Sequence, residues 1–264
     1  MTRLAKQLLF GGIYLAIIAG VIYGGYRLFT VEPTCTDGIQ NGGEDGVDCG
    51  ARVCGRLCPP AVKPLAEPKV QVISNSDGSY DVLATLENPN AAYGVKRVDY
   101  TMTAASASRR GFTYVNPAQP RHLVFPLGKL DAAPTAGLQL ASGSIEWAAL
   151  AIDAAGSVEF AVRGDSLTAA TGSVRYEALV GNRSRFDFDE VDVTVLLYDG
   201  SHKVVGAGST VVRTLRAGEE RGFVIDWPFA VPGAVDHEAF IGTNLFSNAN
   251  YLKAYGSPDR IEGN

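Results

Sequence analysis

Apolar residues follow three different patterns along the chain. Residues 8–26 (LLFGGIYLAIIAGVIYGGY) run nineteen positions without a charge. Coiled as a helix at 1.5 Å per residue, such a run just spans about 30 Å of hydrocarbon. Residues 34–59 hold only Ile39, Val47, Val53 and Leu57 as large aliphatic residues. From residue 69 onward the period is two. Tyr80, Val82, Ala84 and Leu86 alternate with Asp81, Leu83, Thr85 and Glu87, and Val98, Tyr100 and Met102 alternate with Asp99, Thr101 and Thr103. Val174, Tyr176, Ala178 and Val180 repeat the theme, as do Val191, Val193, Val195 and Leu197, then Phe223, Ile225 and Trp227. Turn-forming groups separate the runs: Ser76-Asp77-Gly78, Asn88-Pro89-Asn90, Asp199-Gly200 and Ala217-Gly218. Short alternating strands punctuated in this way predict antiparallel β-sandwiches.

The flanks of the apolar run decide its orientation. Arg3, Lys6 and the amino terminus precede it, and Arg27, Glu32 and Asp37 follow it. The positive-inside rule places residues 1–7 in the cytoplasm and 30–264 outside. Arg27, Leu28 and Phe29 follow where a cleaved signal peptide would carry small residues, so residues 8–29 are expected to be an uncleaved, single-pass signal anchor. Gly12, Ala16, Gly20 and Gly24 recur every four residues. In lipid such a stripe permits close helix–helix contact, although glycine-rich spans also produce the period by chance.

All four cysteines, Cys35, Cys49, Cys54 and Cys58, lie just beyond this anchor. An even, clustered count outside a membrane predicts a small disulfide-stapled stem over 30–58, with three pairings open. Zinc is disfavoured, because the spacing C-x13-C-x4-C-x3-C contains no Cys-x-x-Cys knuckle. Between Cys35 and Cys49, Asp37, Asn41, Glu44, Asp45 and Asp48 stand among four glycines. That composition suits oxygen ligation of calcium by a tight loop, or equally a run of turns with solvated acids. The stretch resembles the cysteine motif C-x-D-G-I-Q-N-x-x-E-x-G-V-D-C-G of bacterial surface proteins. Ala51 stands where a second glycine is usual. The resemblance implies a surface location. Four prolines in residues 59–68 then predict an extended spacer.

A weak internal repeat divides the remainder. Leu86-Glu87-Asn88 and Val98-Asp99-Tyr100-Thr101-Met102 parallel Val180-Gly181-Asn182 and Val191-Asp192-Val193-Thr194-Val195. Two sandwiches are therefore expected, at 69–155 and 156–258, before a tail at 259–264. Phe188-Asp189-Glu190-Val191-Asp192-Val193-Thr194-Val195-Leu196-Leu197-Tyr198-Asp199 resembles the FxLYD modules of bacteria and archaea, with Val195 in place of the family's Phe. The resemblance implies an immunoglobulin-like extracytoplasmic sandwich and brings no catalytic residues with it. The fold class expected is thus all-β: two tandem immunoglobulin-like antiparallel β-sandwiches after a transmembrane helix and a disulfide-rich stem.

Composition and candidate chemistry narrow the function. Net charge is −5, and removing the +3 of Arg3, Lys6 and Arg27 leaves −8 for the rest, which disfavours a nucleic-acid partner. Gly164-Asp165-Ser166-Leu167 resembles the nucleophile block of GDSL hydrolases. Those enzymes place Asp and His three residues apart near the C-terminus, whereas Asp236 and His237 are adjacent, so the block is read as a turn entering the second sandwich. His122 and His202 read as surface residues, and Asn182-Arg183-Ser184 is a glycosylation sequon. Trp227, Phe229, Phe240, Phe246, Tyr251 and Tyr255 read as sandwich core. The expected protein is not an enzyme. It is a membrane-anchored surface protein with a binding or spacer role and a protein partner or self-association. The alternative is an accessory subunit of an envelope complex, held through its helix. No cofactor beyond calcium is expected.

Overall fold

The computed structural model describes residues 3–29, 35–56, 58, 61–150 and 158–250. It separates into two units, 1–61 and 62–264. In the first unit, helix α1 (Arg3–Phe29) contains a stretch, Ala5–Tyr26, that is long and apolar enough to cross a membrane. From Lys6 to Tyr23 its side chains are exposed on every face. The stem that follows is held by two disulfides, Cys35–Cys54 and Cys49–Cys58.

The second unit is all-β, apart from single 3-10 turns at Ser142–Ser144 and Asn248–Asn250 among the described residues. Its first half contains β1 (Lys69–Ser74), β2 (Ser79–Glu87), β3 (Tyr93–Ala104), β4 (Ala107–Val115), β5 (Pro120–Lys129), β6 (Ala136–Leu140) and β7 (Glu146–Ala149). One sheet runs β1-β2-β5 and the other β4-β3-β6, with β7 also pairing β3. The second half contains β8 (Phe160–Ala170), β9 (Ser173–Asn182), β10 (Phe188–Tyr198), β11 (Val204–Leu215), β12 (Glu220–Trp227) and β13 (Asp236–Gly242). Its sheets run β12-β9-β8 and β11-β10-β13. All pairings are antiparallel, and the strand order of the first half recurs in the second.

Each half encloses a core between its two sheets. Val82, Ala84 and Leu86 on β2 meet Val95, Val98 and Met102 on β3. Tyr176, Ala178 and Val180 on β9 meet Val191, Val193, Val195 and Leu197 on β10, with Phe223, Ile225 and Trp227 from β12. These are the alternating positions of the sequence, because successive side chains on a strand point to opposite faces. A third cluster lies between the halves, where Ile73 and Leu83 of β1 and β2 pack on Leu196, Tyr198 and Ala207 of β10 and β11. Strand β10 is thus covered on both faces.

Two expectations change. Gly164-Asp165-Ser166-Leu167 is not a turn; it lies inside β8, as a register break between Arg163 and Ser166, with Gly164 at φ +60. His122 is not a free surface residue, since its ring packs on Phe240 of the other half, 4.2 Å between centroids. Within the proline-rich spacer, the described residues 61–68 contact the first half. Lys63 exchanges hydrogen bonds with the Asn90 side chain, and Leu65 packs on the first core. Of the six late aromatics, Trp227 and Phe229 join the second core, Phe240 joins the cluster between halves, half-buried Phe246 lies against Gly94 outside these clusters, and Tyr251, Tyr255 and the 259–264 tail lie outside the described residues.

Candidate functional site

The richest polar chemistry lies where the two halves meet. β4 and β5 supply Tyr114 and Arg121, and β10 supplies Asp192. The Tyr114 hydroxyl donates to Asp192 Oδ2 at 2.6 Å, and Arg121 Nη1 sits 3.0 Å from the same oxygen. Arg121 also lies over the Tyr114 ring, 4.3 Å from its centroid, and its Nε donates to Thr113 Oγ1. Burial pushes the tyrosine hydroxyl well above its ordinary range, against the pull of Arg121, so it remains a donor. Gln71 Nε2 donates to the Val204 carbonyl at 2.8 Å and Ser76 Oγ to that of Ala230 at 2.7 Å, tying the halves together at another point.

Beside this cluster is a cavity of about 190 Å³ lined by residues of both halves, among them Asn116, His122, Thr194 and Phe240. His122 Nδ1 is 3.0 Å from Thr85 Oγ1, while its buried Nε2 has no partner. Burial first, and the neighbouring Arg121 second, lower the imidazole pKa to about 4, so the ring is neutral at pH 7. Asn116, 7% exposed, donates through Nδ2 to the Thr243 carbonyl at 3.0 Å, but its Oδ1 also lacks a partner. Sequence reasoning missed this place. Its signal was Arg121-His122 on a strand otherwise apolar outward, which asks for a covering surface.

The sequence-predicted residues fall elsewhere. In the stem, Asp48 accepts N–H bonds from Asp37 and Gly38, and Asp37 accepts from Ile39 N–H and Asn41 Nδ2. Glu44, buried, accepts from the N–H groups of Asn41 and Asp48. Asp45 is exposed beside Gly50. These side chains thus cap the stem's own turns. Glu44 Oε1 also lies 3.2 Å from Cys54 Sγ, but that sulfur is oxidised with Cys35 and neither can ligate a metal as a thiolate. Gly12, Gly20 and Gly24 face open space on α1, and Ala16 is exposed.

Asp165 Oδ2 meets His237 Nε2 at 2.8 Å, linking β8 to β13. Ser166, however, pairs with Glu177 while Leu167 pairs with the core residue Tyr176. Alternation then puts Ser166 on the face opposite the His237–Tyr176 ring contact. His202 is exposed in the turn after β10 and stacks on Tyr198. Asn182 is 1% exposed, with Nδ2 donating to the carbonyls of Phe186 and Leu215, so the folded sequon offers no amide for glycosylation. No family model matches the chain, and no curated protein matches its sequence.

Proposed function

We propose that the chain is a membrane-anchored surface protein with a non-enzymatic binding or spacer role, α1 crossing the membrane with the N-terminus inside and the stem and β unit outside. One combination carries this reading: an exposed apolar helix joined to a stem with both cysteine pairs oxidised. Disulfides persist in extracytoplasmic compartments and not in the reducing cytosol. On this reading the second half is an FxLYD-type immunoglobulin-like module. Its Leu197-Tyr198-Asp199 run has a physical use: Leu197 enters the second core, Tyr198 enters the cluster between halves, and Asp199 accepts the N–H groups of Ser201 and Lys203 to shape the turn.

A second reading, accessory subunit of an envelope complex, is favoured by the Gly12, Ala16, Gly20 and Gly24 stripe, which leaves one helix face open to close contact. Exchanging residues 8–29 for an unrelated span separates the two. The surface role survives the exchange, whereas the subunit role is lost.

A further inference from the structure

Glu44 is only 7% exposed, and its Oε2 accepts the N–H groups of Asn41 and Asp48. The other oxygen, Oε1, faces Cys54 Sγ at 3.2 Å, and among the described residues no N–H or O–H group bonds it. A sulfur held in the Cys35–Cys54 disulfide has no proton to give, so a buried acceptor is left unmet there. Cutting that bond changes what the oxygen faces. Cys35 Sγ, Cys54 Sγ and a Glu44 carboxylate oxygen all lie within 4.8 Å of one another. Two thiolates and a carboxylate suit a borderline or soft divalent cation such as zinc or cadmium, and suit calcium poorly. Without an ion they would gather three negative charges, which a divalent cation offsets. The spacing that disfavours a zinc knuckle does not bear on this set, because its third member is a carboxylate. The second disulfide is the more sheltered, since Cys49 is 5% exposed whereas Cys35 and Cys54 are both half-buried, so a small reductant reaches Cys35–Cys54 first.

We propose that reduction of Cys35–Cys54 converts the stem into a site for a zinc-class divalent cation, with Cys35, Cys54 and Glu44 as ligands and water in the fourth position. The electrons come from a reductant of the thiol or phosphine class. Two thiols deliver two electrons and two protons and leave as a disulfide, while the stem gains two S–H groups. The cation then displaces both protons to solvent as the two metal–sulfur bonds form. It takes over the crosslink between residues 35 and 54, so the stem stays ordered in the reduced state when the metal is at hand. The site goes beyond the binding or spacer role and does not depend on it.

The test uses the full chain in phosphatidylcholine nanodiscs, oxidised or reduced with a phosphine, which does not compete for the metal as a dithiol does. Alkylation of a sample identifies the sulfurs freed. Zinc, cadmium and calcium are added in turn. The expected result is uptake of one zinc per reduced chain at micromolar concentration and a thiolate-to-metal ultraviolet band with cadmium, with neither signal from calcium or from the oxidised chain. Zinc is also expected to slow proteolysis of residues 35–58 in the reduced chain at least tenfold. Glu44→Gln keeps an acceptor for the Asn41 and Asp48 N–H groups and is expected to weaken zinc at least tenfold. Its stem is checked by formation of Cys35–Cys54 in the oxidised chain. Cys35→Ser, whose reading needs no disulfide, is expected to abolish uptake and covers the case in which Glu44→Gln does not form the bond. No uptake by the reduced chain, equal uptake by the oxidised chain, or unchanged zinc affinity in Cys35→Ser or in a disulfide-forming Glu44→Gln chain overturns the site.

Discussion

Asn182 turns its amide inward after β9, and Asn88 does the same after β2, donating to the carbonyls of Tyr93 and Asn116. Each also accepts a backbone N–H two residues on, from Ser184 and Asn90. Replacing Asn182 with Ala removes a donor from the buried Leu215 carbonyl and one of the donors to that of Phe186, and a loss of roughly 1–3 kcal/mol in urea unfolding is expected. Gly208 is constrained by packing instead: a Cβ there would collide with Ile225 and touch Trp227. Gly208→Ala is expected to cost about 1–3 kcal/mol as an overpacked core, read from the same unfolding curves. His122 gives a pH dependence. Folding lowers its pKa from 6.5 to about 4, so the unfolded chain takes up the proton first as pH falls. Its contribution is constant above about pH 6.5 and declines between 6.5 and 4, by at most about 1.4 kcal/mol per pH unit. Thermal unfolding of His122→Phe across that window is expected to show a shallower slope than the parent; an identical slope would place the titration elsewhere. The paired asparagines were legible as a repeat, but their inward turn was not, because Asn88-Pro89-Asn90 and Asn182-Arg183-Ser184 read equally well as solvated turns.

At the scale of elements, the repeated strand order raises the question of which sheet faces meet. Leu83 on β2 corresponds to Glu177 on β9, and Leu196 on β10 to Thr103 on β3, by the parallel between the two halves. The apolar members, Leu83 and Leu196, are buried together, whereas Glu177 and Thr103 face solvent. Polar residues on the two outer faces therefore end the stack after one contact. Leu83→Glu, which imposes the outer-face residue on the inner contact, is expected to lower stability by about 3 kcal/mol or more, since it leaves a charge buried among apolar neighbours. The mirror substitution Glu177→Leu is expected to stay within about 0.5 kcal/mol. Calorimetric melting of the two variants checks the contrast, and equal losses would mean that the faces are not distinguished. Alternation made the strands visible, but it treats every second residue as outward. The run Val195-Leu196-Leu197-Tyr198 breaks alternation, as a strand buried on both faces does, and that was the available signal for the contact between halves. Bulges such as the one at Gly164 leave a turn-like signature inside a strand, which is why Asp165-Ser166 read as a loop.

For the whole molecule, the order of apolar helix, stem and β unit was readable because composition changes sharply at each step. The pairing of the cysteines was not, since spacing permits three schemes and only the folded stem selects Cys35–Cys54 with Cys49–Cys58. With so few apolar residues, the stem depends on these bonds and on carboxylate caps from Asp37, Glu44 and Asp48. Reduction is expected to make residues 35–58 the first site of proteolysis, while a calcium chelator without reductant leaves the digestion pattern unchanged; stem cleavage on chelation alone would assign Asp37, Asn41, Glu44, Asp45 and Asp48 to a cation.

The most direct measurement of the anchored, outward-facing arrangement is protease treatment of intact cells making the full chain, followed by fractionation and mass analysis. Before treatment the chain is expected in the membrane fraction at its full 27.9 kDa. After treatment the β unit is expected to be lost while a membrane-held fragment keeps residues 8–29. A shorter chain free outside the cell and lacking those residues, or a membrane-held chain untouched by protease until the cells are broken, would contradict it.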